Sequence, residues 1–183
     1  MSTGFAYVQP YVQPDEHAFR NYCGAGSATV VISHFDPAFA ETVDLYQLGT
    51  EMDLDPGMGV WIRDIAGPVN ARVNARAGQE LNWYRFARAA SLDDFRWMLE
   101  FDVRQNGVPL ITGLMTRGLP GWGESDYGHI VAVYGYTRDP GGTEWVTYAD
   151  TAPAASGYEG PVFVTVELET FWQAVSRNSA QVW

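Results

Sequence analysis

Lysine is absent from the sequence: all eleven basic residues are arginine. Schiff-base chemistry on a lysine amine and a phosphate-loop lysine are thereby excluded. Cysteine is nearly absent. A single residue, Cys23, rules out an intrachain disulfide and a cysteine-based zinc site. Positive charge is scarce too, since 22 acidic residues against 11 basic ones leave a formal net charge of −11. Nucleic acid, anionic membranes and anionic wall polymers need clustered basic groups, so none of them is an expected partner. No window reaches the run of about 18 uncharged apolar residues that a membrane-spanning helix needs. The N-terminus lacks the basic-then-apolar order of an export signal. As it stands, the chain reads as cytosolic, or as a secreted protein in mature form.

What is present is enough for a packed core. Apolar residues make up 46% of 183 positions and charged residues 18%, the balance of a single globular domain. No internal repeat is visible. Two prolines in Tyr7-Val8-Gln9-Pro10 and Tyr11-Val12-Gln13-Pro14 predict an extended lead-in.

The first half reads as helical. Ala28, Val31, Ile32 and Phe35 lie at helical spacing, which predicts a helix over 22–35 with Asn21 as its cap. Asp36-Pro37 predicts the start of a second helix, ending near Gly49. A Gly-rich loop follows over 55–59, then a helix over 60–75 interrupted at Gly67-Pro68, and a short strand over 81–86. Ser91, followed by Asp93 and Asp94, caps a further helix that Gly107 ends. The second half turns to strands: an apolar run over 109–115, then 129–137, 144–149 and 161–168, all rich in β-branched and aromatic residues. A helical turn is expected over 171–176. Helices first and antiparallel strands second is an α+β order, with the boundary near residue 106.

Cys23 stands where the first helix begins, in Asn21-Tyr22-Cys23-Gly24-Ala25-Gly26-Ser27. A helix N-terminus favours a thiolate, and the thiolate is the nucleophile. Gly24 and Gly26 suit a place where substrate approaches the backbone, or alternatively close packing. Of the three histidines, His34 lies about 16 Å further along the same helix, out of reach. His17 sits in the lead-in. His129 opens an apolar strand in Gly128-His129-Ile130-Val131, where a polar ring needs a partner. If Thr137 faces Glu144 across the Arg138–Thr143 turn, Asp150 faces Val131, and a slip of one or two residues puts it beside His129. Such a carboxylate would orient the imidazole, as in a nucleophile–base–orienter triad. Asp126 is the rival carboxylate. A side-chain amide for an oxyanion site is expected from Gln13, with Gln9 in reserve. Trp122, in the Gly-rich loop before His129, is expected to cover the cleft.

These stretches resemble papain-superfamily cysteine peptidases of the bacteriocin-leader-processing type, and more closely their stand-alone, transporter-free relatives. Besides the Cys23 and His129 motifs, Val133-Tyr134-Gly135-Tyr136, Tyr148-Ala149-Asp150, Leu48-Gly49-Thr50 with Gly57-Met58-Gly59, and Gly107-Val108-Pro109 follow the family's order over about residues 10–168. The resemblance implies a papain-like fold of a helical lobe (about 15–106) packed on a sheet lobe (about 107–183). It implies Cys23 as nucleophile, His129 as base and acid, Asp150 as orienter and a glutamine, here Gln13, in the oxyanion hole. The residues themselves suggest Gly24, Trp122 and Gly128 as the border of the cleft. It implies a peptide or protein substrate and neither metal nor cofactor. Two positions depart from the pattern: Gln13 lies further from Cys23 than the family's glutamine usually does, and Ala25 replaces a proline. The same constellation would also serve an isopeptidase, a deamidase or a transglutaminase-like acyltransferase. An inactive module binding peptide or glycan through Trp61, Trp83, Trp97 and Trp122 is the non-enzymatic alternative.

Overall fold

Ten consecutive buried residues, Gly24–Ser33, put the helix Cys23–Phe35 (α1) at the centre of the first half. Its residues are small or β-branched and apolar almost all round, the composition of a helix with neighbours on every side. The computed structural model describes residues 4–178 and 180–183. In it α1 packs against α2 (Phe39–Thr42), α3 (Leu45–Glu51), α4 (Ala66–Ala77) and the sheet. Thr29 and Ser33 turn their hydroxyls back to the carbonyls of Ala25 and Val30, so their burial leaves no unpaired group.

Several local expectations are corrected. Tyr22, not Asn21, is the residue before α1; the Asn21 amide instead donates to the Pro56 carbonyl at 2.7 Å. The expected second helix is two, because Val43 is extended and Asp44 restarts the turn by accepting from the Gln47 N–H. Gly67-Pro68 does not interrupt a helix but lies in the first turn of α4, where a proline's missing N–H costs nothing. The strand expected over 81–86 is β1, Phe86–Arg88. Ser91 caps α5 (Leu92–Met98) as expected, and Gly107 ends the element in a left-handed conformation (φ 66°). Between them, however, the helix widens into a π-helical stretch, Leu99–Asn106.

One antiparallel sheet runs through the molecule in the order β1-β6-β2-β3-β4-β5. Its centre is β2 (Leu110–Met115), β3 (Gly128–Arg138) and β4 (Glu144–Ala149), followed by β5 (Phe163–Glu167). The turn expected over 171–176 is a helix, α6 (Leu168–Val175), and β6 (Ala180–Val182) lies between β2 and the edge strand β1, pairing with both. Successive β3 residues point to opposite faces. Ile130 and Ala132 join the core with α1, α3 and α4; Val131 and Val133 join Phe95, Leu99 and Phe171 on the far side. The sheet is thus covered on both faces.

The lead-in is extended and crosses the molecule. Ala6 donates to Tyr134, Gly4 accepts from Tyr136, and Phe5 bridges Gly135 at a bulge in β3. Further on, the Gln9 N–H donates to Ser33 Oγ at the end of α1, Gln13 donates to the Thr151 carbonyl, and Asp15 accepts from Ala155. This strap ties α1 to the far end of the sheet.

Candidate active site

Ser27 fixes the distance between helix and strand. Its hydroxyl donates to the Ile130 carbonyl at 2.9 Å. Cys23 is one turn earlier on the same face of α1, and His129 is the residue before Ile130. The two are thereby brought near enough for Cys23 to act on the protonation of the His129 ring. Cys23 is partly exposed at the first turn of the helix, where backbone N–H groups have no partner within the helix.

The register at Asp150 has an unexpected history. The hairpin pairs Arg138, not Thr137, with Glu144, one residue off the simple expectation. The bulge between Val133 and Gly135 gives that residue back, so Val133 faces Tyr148 and Ala132 faces Ala149. Continuing that register sets Asp150 opposite Val131, on the same face as His129, with no further slip needed. His129 Nε2 lies 2.8 Å from Asp150 Oδ1, which leaves Nδ1 for the sulfur side. The Ala152 N–H donates to the same oxygen at 3.1 Å, and Trp122 Nε1–H donates to Oδ2 at 2.9 Å.

Both members of the pair are buried, Asp150 to 1% and His129 to 6% exposure. Burial alone would push His129 toward neutrality. The charge and hydrogen bond of Asp150, with a further contribution from Cys23, outweigh it and raise the imidazole to about 10. Burial likewise opposes ionisation of Asp150, but His129, Trp122 and Ala152 overcome it and hold the carboxyl below its usual range. The arrangement is a charged imidazolium–carboxylate pair beside a thiol at a helix N-terminus.

A model of the Peptidase_C39 like family matches residues 5–180. The chain belongs to that family. As a member it is a cysteine-type peptidase. No curated protein is similar enough in sequence to count as a match. Among solved structures, the peptidase domain of Streptococcus ComA, a bifunctional ABC transporter involved in quorum sensing, is similar at 12% identity and a TM-score of 0.54, covering 96% of this chain and 95% of that one. The bromelain protease of Ananas comosus, in complex with the E64 inhibitor, gives 11% identity and 0.56, covering 96% and 93%. A recombinant stem bromelain precursor gives 10% and 0.61, covering 96% of this chain and 66% of that chain. The peptidase therefore has the papain-like α+β fold, helices first and sheet second.

The remaining expected site residues fare differently. Gln13 is brought to the start of α1 and is 2% exposed. Its Nε2 donates to the Phe19 carbonyl at 2.7 Å and its Oε1 accepts from Thr151, so one amide hydrogen is left over. Gln9, by its bond to Ser33 ten residues beyond Cys23, lies about 15 Å away along α1 and is out of contention. His17 is exposed beside Arg20, His34 sits against the Tyr7 carbonyl, and Asp126 is paired with Arg177, so none of them meets Cys23.

Gly24 and Trp122 are corrections. Gly24 is buried, and a Cβ there would collide with Val60 and crowd Ile65 and Ile130. It serves packing of the 55–61 loop on α1, not access for substrate. Gly26 is similar, with Thr151 in the space of a side chain. Trp122 is 5% exposed and lies against the His129 ring at 5.0 Å, so it covers the His–Asp pair and presents little face to a cleft. Gly128 is exposed, with open space where a side chain would stand. Trp61 is 69% exposed. Trp83 and Trp97 stack on Phe101 on another part of the surface, so the four expected tryptophans do not line one groove. The indole N–H on Asp150 had no signal in the sequence beyond the nearness of Trp122 to His129. Among the described residues no group of acidic, His and Cys side chains could hold a metal, and no helix is long and apolar enough to cross a membrane.

Proposed function

We propose that the peptidase hydrolyses peptide bonds through a Cys23–His129–Asp150 triad and a thioester intermediate. The observation that carries this reading is the 2.8 Å contact of His129 Nε2 with Asp150, which leaves the other ring nitrogen free for the thiol. A protonated imidazole beside a sulfur at a helix N-terminus is the setting in which a thiol becomes a nucleophile. Cys23 Sγ attacks the scissile carbonyl carbon, and the carbonyl electron pair moves to its oxygen. The first N–H groups of α1 and the remaining Gln13 amide hydrogen receive that oxyanion. As the tetrahedral centre collapses, His129 gives its proton to the departing amine and the thioester forms. Neutral His129 then takes a proton from water. The hydroxide oxygen attacks the thioester, the acid leaves, and the thiolate–imidazolium pair is restored. Asp150 holds the ring in its working tautomer throughout.

The test uses the single thiol. Intact-mass measurement of iodoacetamide labelling between pH 4 and 9, beside His129→Ala, should give fast labelling well below about pH 8.5, the range of an ordinary thiol, and marked slowing in the variant. Mass spectrometry of peptides incubated with the enzyme should then find shortened products, absent with Cys23→Ala. Labelling indifferent to His129, with no peptide cut, would sink the triad.

A further inference from the structure

Two guanidinium groups converge on one carboxylate beside the His129 end of β3. Arg177 Nη1 donates to both oxygens of Asp126 at 2.9 and 3.1 Å, while Arg117 Nη1 stands 3.8 Å from the same carboxylate. The other ion pairs among the described residues match charge for charge: Arg63 with Asp64, Arg72 with Glu51, Arg104 with Glu100, His129 with Asp150, and Arg96 and Arg138 with Asp93 and Glu144. Here the balance is one positive charge in excess, in a chain whose net charge is −11. Arg177 is anchored by its second nitrogen to the carbonyls of Met115 and Arg117. Arg117 is not anchored. Its side chain is 59% exposed and, among the described residues, makes only the long contact with Asp126. Both arginines line a recess of about 310 Å³ with Gly118, Thr170 and Gln173, and the side chains of Thr170 and Gln173 bring hydrogen-bonding groups and no negative charge.

The sheet register relates this recess to the chemistry. The carbonyl that anchors Arg177 belongs to Met115, which pairs with Gly128, and the next rung pairs Leu114 with His129. Summing that path gives at most about 15 Å between the guanidinium and the His129 backbone, or about four residues of extended peptide. We propose, resting on the peptidase reading above, that the Arg117–Arg177 recess binds a carboxylate of the bound peptide, from an Asp or Glu side chain or from the C-terminus. Arg177 and Asp126 hold the recess in shape; Arg117 supplies the free donors, and Thr170 and Gln173 complete the lining. A fork of N–H groups is the donor set that matches a carboxylate.

The test compares decapeptides synthesised in matched Glu and Gln versions, each with a free or an amidated C-terminus. The wild type should cut the carboxylate-bearing member about tenfold better in kcat/KM. The preference should fall to within about twofold in Arg117→Gln, fall or reverse in Gln173→Glu, and shrink in 1 M salt. Both positions are exposed, and unchanged melting temperatures would show that the variants fold. Loss of preference on amidation alone assigns the carboxylate to the C-terminus, and loss on Glu-to-Gln exchange assigns it to a side chain. Equal cleavage of all versions, or a preference that survives Arg117→Gln, overturns the proposal and leaves the arginines as braces of Asp126. If no peptide is cut by the wild type, the peptidase mechanism fails separately. The recess is then judged by fluorescence-anisotropy binding of the same peptides to Cys23→Ala, with and without Arg117→Gln: tighter, Arg117-dependent binding of carboxylate versions upholds it, and equal binding overturns it.

Discussion

Replacing Asp150 with alanine removes three interactions from one buried point. The His129 ring loses its ion pair, and the Trp122 indole N–H and the Ala152 backbone N–H lose their acceptors. Stripping one partner from a buried ion pair costs about 3–5 kcal/mol, and each stranded donor about 1–3 kcal/mol. These overlap, because His129 without its partner escapes by deprotonating. A loss of about 4 kcal/mol near pH 6 is expected, equivalent to about 8–16 °C in Tm for a chain of this size. The pH dependence separates this cause from a simple cavity. The depressed Asp150 carboxyl stabilises the fold above its unfolded value near pH 3.9, and that stability is lost as pH falls through the folded value. The elevated His129 stabilises fully below about pH 6.5, its unfolded value, and its share is lost as pH rises through about 10. The difference in Tm between parent and Asp150→Ala, both carrying Cys23→Ala to prevent self-cleavage, should therefore peak between about pH 4 and 6.5 and narrow on each side. Circular-dichroism melts from pH 3 to 10 give the curve. A difference that is flat with pH, or below about 1 kcal/mol, refutes the charged-pair reasoning.

Other substitutions probe neighbouring features. Trp122→Phe keeps an aromatic ring against His129 but removes the N–H on Asp150 Oδ2, and should cost about 1.5–3 kcal/mol, a hydrogen bond to a charged group, while slowing Cys23 alkylation. An unchanged alkylation profile would show that the indole N–H does not act on the pair. Gly24→Ala forces a methyl into Val60, and about 1–3 kcal/mol of overpacking is expected; urea melts with no shift in midpoint would contradict it. Asp102 lies buried in the π-helical stretch with Oδ2 unpaired, and burial, opposed by a Trp83 hydrogen bond, raises its carboxyl to about 7. Stability should thus fall as pH rises from about 4, the unfolded value, to about 7 and level off above it, and Asp102→Asn should raise Tm more at pH 8 than at pH 4, readable in paired thermal melts.

The Cys23, His129 and Asp150 positions were legible because each advertises itself locally: a thiol at a helix start, a lone imidazole on an apolar strand, an acid closing the next strand. The register argument succeeded through two offsets of one residue that cancel, at the turn and at the Tyr134 bulge. The edge strand β1 and its neighbour β6 are three residues each and owe their existence to pairing between positions about half the chain apart, so local pattern marks β1 a few residues early and gives no sign of β6. The inward turn of Trp122 follows from Gly121 (φ 84°) packing tightly on Tyr158 and Gly160, a contact no spacing announces. Gly24 looked like room for substrate because a missing Cβ says only that something comes close, not what. The arginine recess draws on three separated segments and has no linear motif.

The strap also sets an order of events in time. Its anchors Thr151 and Ala155 lie 138 and 140 positions beyond Gln13 and Asp15. A ribosome adding about 5–20 residues per second delivers Cys23 some 6–25 s before Thr151. For most of that interval the nascent helical half carries its sulfur before either His129 or Asp150 has been made. The sulfur is therefore made well before the strands that bring His129 and Asp150 to it, and the strap finds its anchors only after β4 is complete.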